Sequence, residues 1–140
     1  MKANEIMTGD YFRIAQTGKI IKIVAVDECD GIVEYFDGDA GGVLTIGVDK
    51  IEPIPITAEI LEKNGWRNVV FDEETPVMQI ETRCDAFWWD SIKGECGCEM
   101  SICDNGEECI EKTIFCKGIC YVHELQHALR LCGIDKTIEI

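Results

Sequence analysis

Apolar and polar positions alternate with a period of two through the first half of the chain. Residues 11–15, 19–26, 32–36 and 43–46 are short runs rich in β-branched and aromatic side chains, and runs of this kind bounded by turn residues predict strands. Gln16-Thr17-Gly18 turns the chain after the first run, Asp30-Gly31 is a hairpin signal, and a Gly/Asp cluster fills residues 37–42. Four or five short strands so closely spaced predict a small, curled antiparallel barrel of SH3-like type over residues 1–56.

Pro53 and Pro55 close this half, because proline has no N–H to give a sheet ladder. Thr57 is placed to cap a short linking helix over residues 58–64, with Glu59 in the favourable first turn. Gly65 suits the left-handed position that ends such a helix, and Trp66 can fold back toward Leu61. Strand patterning resumes at residues 69–71, 77–82, 87–89, 98–103 and 109–116, and Asp104-Asn105-Gly106 predicts a hairpin between the last two. Over residues 120–132 the period changes. Val122, Leu125, Leu129 and Cys132 recur at spacings of 3, 4 and 3, which makes one apolar stripe on a helix that Gly133 stops. Residues 137–140 read as a terminal strand. The chain is therefore predicted to be α+β. It has two parts, residues 1–56 and 57–140, the second an antiparallel sheet packed by a C-terminal helix.

At 140 residues and 46% hydrophobic content, the chain can bury a core as one domain or as two very small ones. No apolar run approaches the roughly 20 residues that span a bilayer, so no membrane partner is expected. Met1-Lys2-Ala3-Asn4-Glu5 lacks the apolar stretch of a secretory signal, which points to the cytoplasm. The net charge is −14, from 13 basic against 27 acidic residues in the whole chain, and acidic residues are in excess in both halves. Nucleic-acid binding needs lysine and arginine to neutralise phosphates, so nucleic acid is not an expected ligand. The acidity serves solubility, or else it mimics nucleic acid as a decoy for other proteins' binding surfaces.

One motif carries chemistry. His123-Glu124-Leu125-Gln126-His127 matches the HExxH pattern, in which two histidines one helical turn apart hold Zn²⁺ and the glutamate takes a proton from the metal-bound water. In this alternative His123 and His127 are metal ligands and Glu124 is the catalytic base. Against it, these are the only two histidines in the chain, and only 13 residues follow His127 to supply a third ligand such as Asp135 or Glu139. The wheel also sets His123, His127 and Arg130 opposite the apolar stripe, on a face expected to meet solvent.

Two segments bear a resemblance. Ile51-Glu52-Pro53-Ile54-Pro55-Ile56-Thr57-Ala58-Glu59-Ile60-Leu61-Glu62-Lys63-Asn64-Gly65-Trp66 and Tyr121-Val122-His123-Glu124-Leu125-Gln126-His127 resemble a family of uncharacterised small proteins from gut Bacteroidetes and their mobile elements. Members carry an N-terminal β segment, a Pro-Ile-Pro-Leu-Thr helix start and a C-terminal Tyr-Val-His-x-Leu-Gln helix. In that family the position of His127 is often asparagine and that of Glu124 often glutamine, and neither change leaves a working zinc site. The resemblance implies that the HExxH match falls within a structural helix, and by itself it gives no function. Together with the incomplete catalytic constellation it leads to the expectation of a non-enzymatic accessory protein, without a cofactor, that acts through a protein partner.

Two further features have a plain and a sharper reading. Cys96, Cys98, Cys103, Cys109, Cys116 and Cys120 crowd into 25 residues, as core or surface thiols or as a structural zinc site. On a strand Cys96 and Cys98 share one face and Cys103 takes the other. In Phe87-Trp88-Trp89 successive rings alternate faces. One of Trp88 and Trp89 therefore packs inward, and the other is a candidate anchor for a partner.

Overall fold

The computed structural model describes the backbone of residues 2–70, 76–81, 85–90, 95–103 and 109–140. It describes the side chains of residues 2–68, 79–80, 88–90, 95–96 and 118–140. The Asp104-Asn105-Gly106 turn lies outside the described residues. The protein is α+β, with two five-stranded antiparallel sheets and, among the described residues, two α-helices. The chain divides into two compact units. One comprises Met1–Pro55 with Tyr121–His123, the other Ile56–Cys120 with Glu124–Ile140.

The first unit holds β1 (Tyr11–Ile14), β2 (Ile20–Asp27), β3 (Ile32–Asp37), β4 (Gly42–Gly47) and β5 (Ile51–Pro53), in the order β4-β3-β2-β1-β5. Alternation fixes which face is buried: Phe12 and Ile14, Ile21 and Ile23, and Val33 and Tyr35 point inward, with Ile6 and Ile51 completing the cluster. Burying a side chain such as Phe12 contributes up to about 3 kcal/mol. A β-bulge at Val24, between the pairs Ile23↔Tyr35 and Ala25↔Glu34, shifts the inward positions by one, so that Val26 packs against the core.

The sheet does not close into the expected barrel. Its ends are β4 and β5, which do not pair with each other. A closing strand buries alternate residues, whereas no residue of β4 is buried. The β3–β4 turn is held by Asp37, whose Oδ1 accepts from the N–H groups of Asp39 and Ala40 at 2.9 and 3.4 Å. Gly41, at φ +68°, supplies the left-handed residue that this turn requires.

The second unit holds α1 (Ala58–Lys63), then β6 (Arg67–Val70), β7 (Pro76–Glu81), β8 (Asp85–Asp90), β9 (Glu95–Cys103) and β10 (Cys109–Lys117) as a meander. Thr57 Oγ1 caps α1 by accepting from Ile60 N–H at 3.3 Å. At the other end Trp66 N–H donates to Leu61 O and Gly65 N–H to Glu62 O, a complete Schellman closure about Gly65 at φ +82°. The last helix, α2 (Val122–Leu131), ends in the same way: Ile134 N–H reaches Leu129 O, and Gly133 N–H reaches Arg130 O.

Two expectations for this region are corrected. Residues 137–140 form no strand. The terminal segment instead satisfies its backbone through two side-chain amides. Gln126 Oε1 accepts from Ile138 N–H and its Nε2 donates to Lys136 O, both at 2.7 Å. Asn64 does the same for the N–H and carbonyl of Glu139, both at 2.8 Å. The second correction concerns His123, which the helical wheel sets toward solvent but which is only 6% exposed. The cause is tertiary: Val122 N–H donates to Ile54 O at 2.9 Å and Tyr121 bridges Pro55, so the first turn of α2 is drawn into the first unit.

Candidate interaction surface

The HExxH residues are placed in three different settings. The His123 ring lies 4.9 Å from that of Phe12, tilted by 39°, and 6.0 Å from that of Tyr121 in a near-parallel stack. An imidazole in this setting serves as part of an aromatic core. Glu124 Oε2 accepts from the Cys120 N–H at 2.8 Å, two residues ahead of the helix, and so satisfies a backbone donor of the entering chain. His127 is half-buried. Among the described residues, no group of three or more histidine, cysteine, aspartate or glutamate side chains is arranged to hold a metal ion.

Of the tryptophans, Trp89 is buried and donates its indole N–H to Ile119 O at 3.0 Å, while Trp88 is half-buried. In the cysteine-rich stretch the register sets Cys96 opposite Cys116 and Cys103 opposite Cys109. The Cys96 side chain is fully buried and Cys120 is exposed. The side chains of Cys98, Cys103, Cys109 and Cys116 lie outside the described residues.

The most distinctive surface is one that the motifs do not mark. With Val33 and Tyr35 turned inward, Glu34 and Phe36 are on the outer face of β3, and Phe36 is 62% exposed. Its cross-strand neighbour is Val43, itself 55% exposed. Directly opposed residues share a face with Cβ atoms about 5 Å apart, so the two form a continuous apolar patch. Val24 at the bulge and Leu44 on β4 are further exposed apolar residues of this unit. Elsewhere the outer face is mixed: Ile20, 42% exposed, stands opposite Arg13, which is paired with Glu52 across β1 and β5, and the Lys22 ammonium lies 5.2 Å from the centre of the Tyr11 ring.

Charge at the two ends of β4 is uneven. At the Gly42 end Asp37 and Asp39 both bind Lys19 Nζ, at 2.8 and 2.9 Å. The hydrogen bond from Lys19 holds the Asp37 carboxyl below its ordinary range. The bonds to Asp37 and then Asp39 hold the Lys19 ammonium well above the ordinary lysine range. At the Gly47 end, pairing of Ile32 with Gly47 and the Val48 N–H bond to Gly31 O bring in the loop that carries Asp27, Glu28 and Asp30, and Asp49 with Lys50 follows. Each end is net acidic.

The alternation in β3 was a usable signal for this surface. Once Val33 and Tyr35 are taken as the buried pair, Phe36 must share a face with Glu34. No described helix is long and apolar enough to cross a membrane. No protein-family model, no curated protein and no solved structure matches the chain.

Proposed function

We propose that this is a non-enzymatic accessory protein that acts by binding another protein through the outer face of β3 and β4. The observation that carries this reading is the Phe36–Val43 pair, two large apolar side chains held side by side in solvent by a rigid ladder. Isolated exposed apolar residues are ordinary, but an adjoining aromatic and aliphatic pair on a sheet suits an interface hot spot. The family resemblance supports an accessory role in a mobile-element setting, and the absence of an apolar stretch in residues 1–5 supports a cytoplasmic address. The hydrogen bond that commits Glu124 to the Cys120 N–H supports a structural reading of the HExxH helix, with no zinc required.

The test is quantitative recovery of partners from lysate by the full chain, its Phe36→Lys variant and a Thr17→Lys control on an exposed turn. A protein recovered by wild type and control but lost with Phe36→Lys is the expected result. Equal recovery by all three, or none by any, overturns the reading.

The charge of −14 favours a second reading, an acidic decoy for nucleic-acid-binding surfaces. It requires that recovery be competed by duplex DNA and fall steeply with salt.

A further inference from the structure

The backbone of β4 offers more than an apolar patch. An edge strand presents a row of unpaired N–H and C=O groups, and proteins blunt such edges with charge, proline or short length. Among the described residues the two sheets have four edge strands: β4, β5, β6 and β10. Three of them follow that rule. The three-residue β5 carries Glu52 and Pro53, β6 opens with Arg67, and β10 carries Glu111, Lys112 and Lys117. In contrast, β4 reads Gly-Val-Leu-Thr-Ile-Gly: six residues with no charge and no proline, exposed or half-exposed throughout.

We infer that β4 is a strand-addition site, and that its occupant is an extended segment of another protein with alternating apolar residues and lysine or arginine at both ends. This rests on the interaction reading above and specifies the partner's chemistry. Row geometry selects an extended peptide, because only a strand can satisfy alternate backbone groups at the spacing of a ladder. The Phe36–Val43 pair lies beside the incoming strand and selects apolar side chains on that face. The charge at the ends selects cations: Asp27, Glu28, Asp30 and Asp49 against Lys50 at one end, and Asp37 and Asp39 against Lys19 at the other.

The same charges argue against a second copy as occupant. Antiparallel pairing of β4 with β4 about a two-fold axis keeps the outer faces on one side. It also brings the acidic end at Gly47 against the acidic end at Gly42 of the other molecule. Like charges so placed oppose assembly.

The experiment uses the isotope-labelled full chain and synthetic peptides of alternating valine and threonine with two lysines at each end. A second peptide has glutamates for lysines, and a third is N-methylated at its four central residues, which blocks hydrogen bonding on both edges. Binding of the lysine peptide should shift the amides of residues 32–37 and 42–47, and weaken about tenfold or more between low and 0.5 M salt, roughly as for screened charge steering. The other two peptides, and the Val43→Lys chain with the lysine peptide, should bind at least about tenfold more weakly. Equal binding of the methylated or glutamate peptide overturns the inference, as do shifts confined to other residues. Self-association that strengthens with salt and moves the β4 amides overturns it in favour of a second copy. No binding of the lysine peptide also overturns it, and if partner recovery still depends on Phe36, the broader interaction reading stands without strand addition.

Discussion

The side chain of Gln126 holds Ile138 as a neighbouring strand would: its Oε1 accepts the Ile138 N–H and its Nε2 donates to Lys136 O, both at 2.7 Å. Gln126 and Ile138 are both buried, so the exchange takes place out of water, where an unmade hydrogen bond is costly. Asn64 repeats the arrangement at Glu139 and also donates to Ile60 O at the end of α1. The C-terminal residues are thus fixed by two amides on two different elements.

Replacing Gln126 by alanine leaves the buried Ile138 N–H unsatisfied and should cost about 2–4 kcal/mol in urea denaturation, roughly two buried hydrogen bonds. Gln126→Glu keeps the acceptor but sets a carboxylate oxygen against the Lys136 carbonyl. Its deficit at pH 7 should shrink at pH 4, where the protonated acid can donate. A deficit that does not change with pH contradicts the assigned orientation of the amide.

Both helices close on a glycine in the left-handed region, Gly65 at φ +82° and Gly133 at φ +71°. A Cβ at Gly133 meets nothing within 4 Å, and one at Gly65 lies 3.7 Å from Lys136 Nζ, an ordinary contact. The cost of Gly→Ala at either position is therefore conformational, about 1–2 kcal/mol. Thermal melts of the two single variants and the double variant should show equal and additive losses.

The pH dependence of the first unit should carry a signature of Asp37 and Lys19. Asp37 is depressed below its ordinary value of 3.8, so its contribution is fully present above that value and is lost as pH falls through the lower folded-state value. Lys19 is raised above 10.5, so its contribution is fully present below 10.5 and is lost only as pH rises through the higher folded-state value. Between these limits the pair's contribution is flat. Asp37→Asn should remove part of the acid limb of the stability profile and leave the slope between pH 5 and 9 unchanged; a changed slope there would assign the dependence to other groups.

Variants of Glu124 distinguish a structural acceptor from a catalytic base. Losing the acceptor in Glu124→Ala should cost about 1 kcal/mol, and Glu124→Gln less because its amide oxygen can still accept from Cys120 N–H. Neither change should alter casein hydrolysis, and protein purified without added metal should hold less than stoichiometric zinc. Hydrolysis by wild type that Glu124→Gln abolishes would establish the zinc-hydrolase alternative instead.

Much of the fold was legible because its signals are local. The strands of the first unit follow from β-branched runs between glycine turns, and β1 to β4 fall within a residue or so of the predicted runs. The Thr57 cap, the Gly65 closure and the Gly133 stop are each set by one residue's own hydrogen bonding or backbone freedom. The bulge at Val24 and the open sheet were not legible, since both depend on which strand lies alongside. The exposed apolar pair was half legible. Alternation along β3 is a signal that groups Phe36 with Glu34 opposite Val33 and Tyr35, but the sequence reading singled out Trp88 and Trp89, and the register that sets Phe36 beside Val43 exists only once the hairpin is formed.

Periodicity, capping and turn chemistry therefore determined the elements and their order, because these act over a few neighbouring residues. Burial was decided by tertiary pairing. His123 is enclosed because the Val122 N–H donates to Ile54 O and Tyr121 lies opposite Pro55 in a bridge, nearly seventy positions earlier in the chain. The terminal residues are held by side-chain amides where a strand was expected. In both cases the sequence supplied the donors and acceptors, and only the folded chain decided which of them meet.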